Sequence, residues 1–436
     1  MGYYIICFID CKEVFLEVPG NLSYNNGQKA GECMVIGIIG GGASGMAAAL
    51  TAARNPDARI LLFERQARVG RKLQATGNGR CNLTNLHADG NSYHGDEPSF
   101  ASHALEAMPV EKTLHWFREL GLYTVAETSG RVYPYSDQAN SVVDVLRFGL
   151  DKPNIQLITG CEISRIRRAG GGFSVENGQD SFLCDKLIVA CGGLAGTKLG
   201  GSMAGYKLLR SMGHHVTRLR PALVQIKSGW NGCQALKGVR ANCHAAIFHG
   251  PVLHSESTGE LQFTEYGLSG PVIFEISRDV CLDGEWCCRL DFLPDMAEDT
   301  LMEMLKRRRS TGLSAEELLT GILHNRLGRV LTSAAGIRGQ RNISDLTDGE
   351  LADVCRVIKG LEIPLTQTLG MDAAQVTAGG IVTSEFDPRT LESRLVPGLY
   401  ACGEVLDIDG DCGGYNLQWA WSSGILAGSS AGEVEL

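Results

Sequence analysis

Between Val35 and Arg65 the apolar and polar positions fall into three blocks. "VIGIIGG" is an unbroken apolar run of strand length ending in glycines, "SGMAAALTAARN" has the small-residue texture of a buried helix, and "ARILLFER" is a second apolar run. Two buried strands around one helix predict a βαβ unit with parallel strands and a right-handed crossover. Farther on, "SVVDVLRFGL" has helical spacing, whereas "IQLITGCEISRIRRA", "GFSVENG" and "FLCDKLIVACGG" predict strands. From His215 to Leu293 the pattern shortens into β-rich runs such as "CHAAIFHG", "GELQFTE" and "WCCRLDFLP", which predict a mostly antiparallel β region. From Asp295 to about Gly370 the pattern is helical, and strands return in "QVTAGGIVTS" and "GLYACGEV". The predicted organisation is an α/β domain in two chain pieces, 34–200 and 373–436. A β-rich subdomain (201–294) and a helical subdomain (295–372) interrupt it, and an N-terminal appendage (1–33) precedes it. Met34 stands directly before the first strand and is a candidate start.

Composition narrows the class. A chain of 436 residues with 44% hydrophobic and 20% charged residues suits a globular protein of two or three domains. The net charge of −9 gives no electrostatic reason to expect nucleic acid or an anionic membrane as partner. The one basic cluster, Lys306 to Arg309, closes a predicted helix, where cations complement the negative end of the dipole. No run approaches the length of a membrane span, and the first residues lack the basic start of a signal peptide, so the expected location is cytoplasmic. The 15 cysteines include no C-x-x-C pair. They predict reduced core thiols rather than a metal site or a disulfide framework.

"GIIGGGASGMAAA" carries G-x-G-x-x-G at Gly40, Gly42 and Gly45, with Ala43 and Ser44 opening the helix. Gly40 allows the strand-to-helix turn, Gly42 the approach of a pyrophosphate to backbone, and Gly45 close packing of helix on sheet. The free N–H groups of the helix start favour phosphate. Glu64, followed by Arg65, ends the next strand where a ribose-binding carboxylate is expected. FAD and NAD both satisfy this pattern, and the next stretch separates them. "VGRKLQATGNGRCNLTN" places Arg71, Lys72 and Arg80 among Thr76, Gly77, Asn78, Gly79, Cys81 and Asn82. Its cations and exposed N–H groups suit a pyrophosphate, and Asn78 and Asn82 offer amides to a ring system. Ala190, Gly192 and Gly193 end the strand "KLIVACGG" and would pass near the pyrophosphate.

The ordered motifs "GGGASGMAAA", "GRKLQATGNGRCNLTN", "GRVYPYSDQANSV", "GLSGPVIFEIS", "TAGGIV" and "PGLYACGEVLDIDGDCGGYNLQWAWSSG" resemble those of a family. It is that of the bacterial flavoproteins related to aminoacetone oxidase and the bile-acid-inducible 3-dehydro-bile-acid reductase. The resemblance runs from about Val35 to the C-terminus. It implies a Rossmann-like domain of glutathione-reductase type, two-dinucleotide-binding-domain flavoprotein architecture, non-covalent FAD and oxidoreductase membership. Relatives usually carry Thr where Cys191 stands and Pro near Lys198, which leaves the substrate pocket open. The resemblance also places the backbone of Ile163 at adenine and the segment Arg131–Ser141 near the flavin.

In such a fold FAD lies extended. Gly403 and Glu404 would end a second strand, and Asp407 would accept a bond from a ribityl hydroxyl. Gly413, Gly414, Tyr415, Asn416 and Leu417 would open the last helix towards the flavin edge, where negative charge gathers on reduction. Asp407, Asp409 and Asp411 alternate as in a calcium loop, but the Glu completing an EF-hand is missing. No second G-x-G-x-x-G after a strand is present for a dedicated NAD(P)H domain.

The leading functional expectation is reduction of an activated C=C bond in a hydrophobic small-molecule ketone, of 3-oxo-Δ4 or Δ4,6 steroid type, with NAD(P)H as possible electron donor. The alternatives are an oxygen-dependent oxidase of a small amine such as aminoacetone, and a flavin-dependent nucleic-acid-modifying or flavin-sensing protein. Tyr133, Tyr135 and Tyr415 are candidate proton donors or plain core aromatics.

Overall fold

The computed structural model describes residues 33–280 and 284–436. The appendage read over 1–33 therefore lies outside the described residues, apart from Cys33. Strand β1 (Met34–Ile39) leads through helix α1 (Ala43–Ala52) to β2 (Ala58–Phe63), and every residue of α1 after Ala43 is buried. Three more strands, β3 (Ile155–Ile158), β4 (Lys186–Val189) and β5 (Leu399–Ala401), complete a parallel sheet in the order β5-β4-β1-β2-β3. The chain winds outward from β1 through β2 to β3 and then returns to the opposite side of β1. The strand order thus reverses between β1 and β4, and a crevice opens at such a switch point outside the carboxyl ends of the strands.

The interruption is visible in the connections. A two-stranded ribbon pairs Arg220–Ala222 with Val376–Ala378, so the chain leaves and re-enters the α/β part side by side. Between them, six antiparallel segments close a barrel: Ile226–Ser228, Arg240–His249, Val252–Thr264, Gly267–Ser269, Trp286–Asp291 and Leu361–Thr368. Helices Glu298–Arg307, Asn325–Ala334 and Asp348–Gly360 share the barrel's hydrophobic core through Leu301, Leu331, Leu351 and Ile358. The last of them starts with a reciprocal cap: the Thr347 hydroxyl accepts the Glu350 N–H, and the Glu350 carboxylate accepts the Thr347 N–H.

Three runs differ from their expected form. "IQLITGCEISRIRRA" splits into β3 and Arg165–Ala169, which belong to different sheets, with Ile163 in the link. "FLCDKLIVACGG" splits at Asp185 into Ser181–Cys184 and β4. Asp185 accepts the Val35 N–H at 2.7 Å, which holds the chain at the step between the two sheets. Leu361–Thr368, within the stretch expected to be helical, is a strand whose first six residues alternate buried and exposed. That period of two is hidden because the strand follows a helix without an intervening turn.

The closing helix α3 (Tyr415–Gly432) lies directly on α1. A Cβ placed on Gly424, Gly428 or Gly432 would come within 2.4, 2.4 and 2.8 Å of backbone atoms of Ser44, Ala48 and Ala52 respectively. Glycines four apart form one ridge, so the two backbones touch over two full turns. The pairings ascend together along both helices, which therefore run parallel.

Candidate functional site

The parallel packing of α1 and α3 sets the geometry of the site. Gly424 meets Ser44 near the start of α1, whereas α3 begins nine residues earlier, at Tyr415. Ser44 is one residue inside α1, so at roughly 1.5 Å per residue the start of α3 projects about 12 Å beyond that of α1. Two helix N-termini thus point the same way from one side of the sheet, one set back from the other. Each offers free N–H groups and partial positive charge. α1 has no side-chain cap and no acid in its first turn, and its N-cap is Gly42.

The first strand end is built largely from backbone. A Cβ on Gly45 would sit 1.8 Å from the Gly40 carbonyl oxygen, so only glycine lets the helix descend onto the turn. At Gly42 and Gly192 the same test meets nothing within 4 Å. Those faces are open, as a cradle for a close-lying ligand requires. Glu64 accepts N–H bonds from Gly41 at 2.8 Å and Gln66 at 2.7 Å, one per carboxylate oxygen. The remaining lone pairs suit ribose hydroxyls. Gly40 packs against Ala190 at the end of β4, and Gly193 lies against Glu404 just past β5. Gly403 abuts the Ser44 hydroxyl, and its N–H donates to Ser423 at 3.0 Å. The ends of β1, β4 and β5 are therefore brought together.

The loop Gly70–Asn85 joins the two helix starts. The Gly70 N–H donates to the Gly41 carbonyl at 2.9 Å at one end. At the other, Asn82 Oδ1 lies beside Gly414, buried and without a hydrogen-bond partner among the described residues. A buried amide oxygen without a donor is costly unless a ligand supplies one. Together with the open glycines, it makes the residues fit an extended dinucleotide. Asn78 and Gly79 are exposed, Cys81 is fully buried with its thiol pushed up to about 12 by burial, and the Thr76 hydroxyl donates to Leu73. Ile163 is buried, with 4% of its surface exposed.

Several side chains expected on the ligand have protein partners in the structure. Lys72 pairs with Glu404 at 2.8 Å, and Arg71 donates to the Gln66 amide at 2.8 Å. Arg80 pairs with Asp137 and Glu127 and lies over the Tyr133 ring at 3.9 Å. Arg65 reaches the Gly200 carbonyl and Glu162. Asp407 is 2% exposed and accepts the Asp96 N–H at 3.2 Å. The Asn416 amide bonds Gly410 in both directions, at 2.8 and 2.7 Å, and so staples the preceding loop. Leu417 packs against the core, and Tyr415 offers its carbonyl to the Tyr93 hydroxyl at 3.0 Å.

The alternating acids are thus individually committed. Asp409 is 2% exposed and pairs with Arg278 at 2.8 Å; burial pushes its carboxyl up against the pull of that cation. Asp411 pairs with His94 at 2.7 Å, which raises the imidazole pKa. His94, Arg278 and Asp411 border a cavity of about 550 Å³ where the α/β part meets helix α2 (Pro271–Ile276) on the barrel. Its walls include Tyr93, His94, Glu256, Glu275, Arg278 and Asp411. Glu275 accepts the Cys412 N–H with both oxygens, at 3.2 and 3.3 Å. Burial and the Asp411 charge push the Glu275 pKa up to about 7. Arg131, in the segment expected near the flavin, places its Nε 3.1 Å from where a Gly413 Cβ would stand. Tyr135 is 77% exposed and turned away from this region's core. Sequence reasoning did not reach Glu275, His94 or Arg278: a single acid, imidazole or guanidinium between strands carries no spacing signal.

Residues 34–430 match the family described as HI0933-like protein Rossmann domain. Among curated proteins, a 3-dehydro-bile acid delta(4,6)-reductase of Clostridium scindens is 41% identical over 405 residues, covering 91% of this chain and 99% of its own. Ribosomal RNA dihydrouridine synthases of Escherichia coli and Haemophilus influenzae are 32% and 28% identical, each covering 88% of this chain and 95% of its own.

Proposed function

The chain belongs to the HI0933-like Rossmann-domain family, and on that premise we propose that it is an FAD-dependent oxidoreductase that reduces an activated C=C bond. The observation that carries this reading is the staggered pair of parallel helix starts, with the open glycines and the unpartnered Asn82 oxygen between them. When bound, FAD would supply the hydride chemistry; the protein supplies binding, orientation and electrostatics. The α1 start and Gly192 would receive the pyrophosphate, Glu64 the adenosine ribose, and the Gly413–Gly414 turn with Asn82 the redox-active ring. The α3 dipole would favour negative charge on that ring.

A hydrophobic ketone of 3-oxo-Δ4 or Δ4,6 steroid or bile-acid type, reduced with electrons from NAD(P)H, is the substrate class best supported. Its support is the relative that shares 41% identity and is named for Δ4,6 reduction. A second reading, reduction of uridine in RNA, is favoured by the relatives named ribosomal RNA dihydrouridine synthase. The net charge of −9 and the carboxylates around the cavity weigh against a polyanion. Both readings share one reaction: hydride addition to a C=C bond conjugated to a carbonyl.

The test is anaerobic reduction of the holoprotein with NAD(P)H, followed by separate additions of a 3-oxo-Δ4,6 steroid, ribosomal RNA, or air with aminoacetone. Reoxidation by the steroid with a saturated product is expected. Dihydrouridine formation without steroid turnover would move the substrate to RNA, and amine-dependent peroxide would overturn the reductase reading.

A further inference from the structure

The cavity beside α2 contains a carboxylate that the cofactor reading leaves unused. Of the acids on its wall, Asp411 is held by His94, and Glu256 approaches His244 at 3.3 Å. Asp409, just behind, is held by Arg278. Glu275 has no cation partner among the described residues, where its carboxylate accepts the Cys412 N–H. That N–H lies two residues before Gly414, the N-cap of α3, where the redox-active end of the cofactor is expected. Glu275 is thereby fixed to the entrance of the site from the barrel side while facing the cavity. The wall also carries Arg278, whose Nε is buried with no partner among the described residues.

We propose that Glu275 is the carboxylic acid that hydrogen-bonds the substrate carbonyl in this cavity and delivers the proton completing C=C reduction. The proposal rests on the oxidoreductase reading above. In such a reduction a hydride originating in NAD(P)H adds to the β-carbon, and the C=C electron pair moves onto the carbonyl oxygen. The Glu275 O–H bond breaks, its proton forms the new C–H bond at the α-carbon of the resulting enolate as the carbonyl re-forms, and the saturated ketone is released. Glu275 is left as a carboxylate and regains a proton from solvent through the cavity. The balance is NAD(P)H, one proton and the enone giving NAD(P)+ and the ketone.

The surroundings keep the acid available. Asp411 and Tyr415 face Glu275 from the segment entering α3, His94 from Tyr93–His94, and Arg131 from Arg131–Pro134. Glu256 and Arg278 share its cavity from the barrel side. Burial and Asp411 favour the neutral form, while Arg131, His94 and the Cys412 N–H oppose it, and the balance leaves the pKa at about 7 rather than near 4.5. A general acid is most effective when its pKa lies near the working pH.

The test compares wild-type holoprotein with Glu275→Gln, which preserves size and can still donate a hydrogen bond to a carbonyl. Infrared difference titration should show an un-ionised carboxyl C=O band in the wild type that fades with a midpoint near 7 and is missing in Glu275→Gln. With the steroid substrate, kcat should fall by about 10²- to 10³-fold while KM changes by less than about threefold. The wild-type kcat should decline above the same midpoint. An absent band in a wild type that turns over, or a variant that keeps wild-type kcat, overturns the role of Glu275 and leaves the oxidoreductase reading intact. A wild type that shows the band but reduces no conjugated C=C bond overturns the oxidoreductase reading, and the proposed proton transfer with it.

Discussion

The ends of β1, β4 and β5 and the cavity beside α2 are neighbouring regions built on opposite principles. The first is a surface of backbone: glycines bring chain segments into contact or leave a face open, and the groups on offer are N–H donors and helix dipoles. The second is a surface of side chains contributed by segments as distant as Tyr93, Glu256 and Asp411. A backbone site recognises what every dinucleotide shares, namely phosphates and hydroxyls. A side-chain site can vary while the fold stays constant, which is where relatives with different named substrates would diverge. Fixed cofactor geometry beside a variable pocket is the lesson of the comparison.

Four predictions press on it. The largest effect is expected within the backbone region, from Gly45→Ala. The added methyl meets the Gly40 carbonyl at 1.8 Å, so a loss of at least about 3 kcal/mol is expected in urea denaturation. Wild-type stability in that variant would mean that the turn and helix are not packed as described. Gly42→Val is the contrasting change, because its side chain enters open space and its φ of −81° suits any residue. The denaturation midpoint should stay within about 1 kcal/mol of wild type, while FAD affinity, read by flavin fluorescence, falls at least about 10²-fold. Unchanged affinity would place the pyrophosphate elsewhere.

In the side-chain region the effect is pH-dependent. Glu275 holds a proton in the folded state up to about pH 7 that the unfolded chain releases near 4.5. Its contribution is therefore present in full below about 4.5 and is lost as pH rises through about 7. His94, whose pKa is raised by Asp411, has the same sign. Glu275→Gln should flatten the fall in stability between those limits by roughly 3 kcal/mol, measured by denaturation at several pH values. A variant curve parallel to wild type would show that Glu275 is ionised throughout. The smallest effect is expected at Arg71→Ala. An exposed guanidinium bonded to the Gln66 amide should change stability by less than about 0.5 kcal/mol and FAD affinity by less than about threefold. A large loss of affinity would place Arg71 at the pyrophosphate.

What was legible in the chain follows this division. The βαβ start, the parallel sheet and the antiparallel insertion could be read because burial imposes periods of two and 3.6 on adjacent residues. Gly40, Gly42 and Gly45 could be read because a strand-to-helix turn under a ligand restricts residue type at fixed spacing. Leu361–Thr368 was read as helix because its alternation runs on from a helix without a break. The ion pairs of Lys72 and Arg80 were not legible, because their carboxylate partners, Glu404, Asp137 and Glu127, are distant in sequence.

By itself, then, the sequence determined the elements, the glycine turns and the family, since each is written in neighbouring residues by local sterics and burial. Tertiary structure alone decided that α3 runs parallel to α1 and overshoots it, that Asp407, Asp409 and Asp411 serve protein partners, and that Glu275 is left without a cation beside the α3 entrance. Charge pairing and the shift of a carboxyl towards neutrality depend on through-space distance and desolvation, and the order of residues along a chain encodes neither directly.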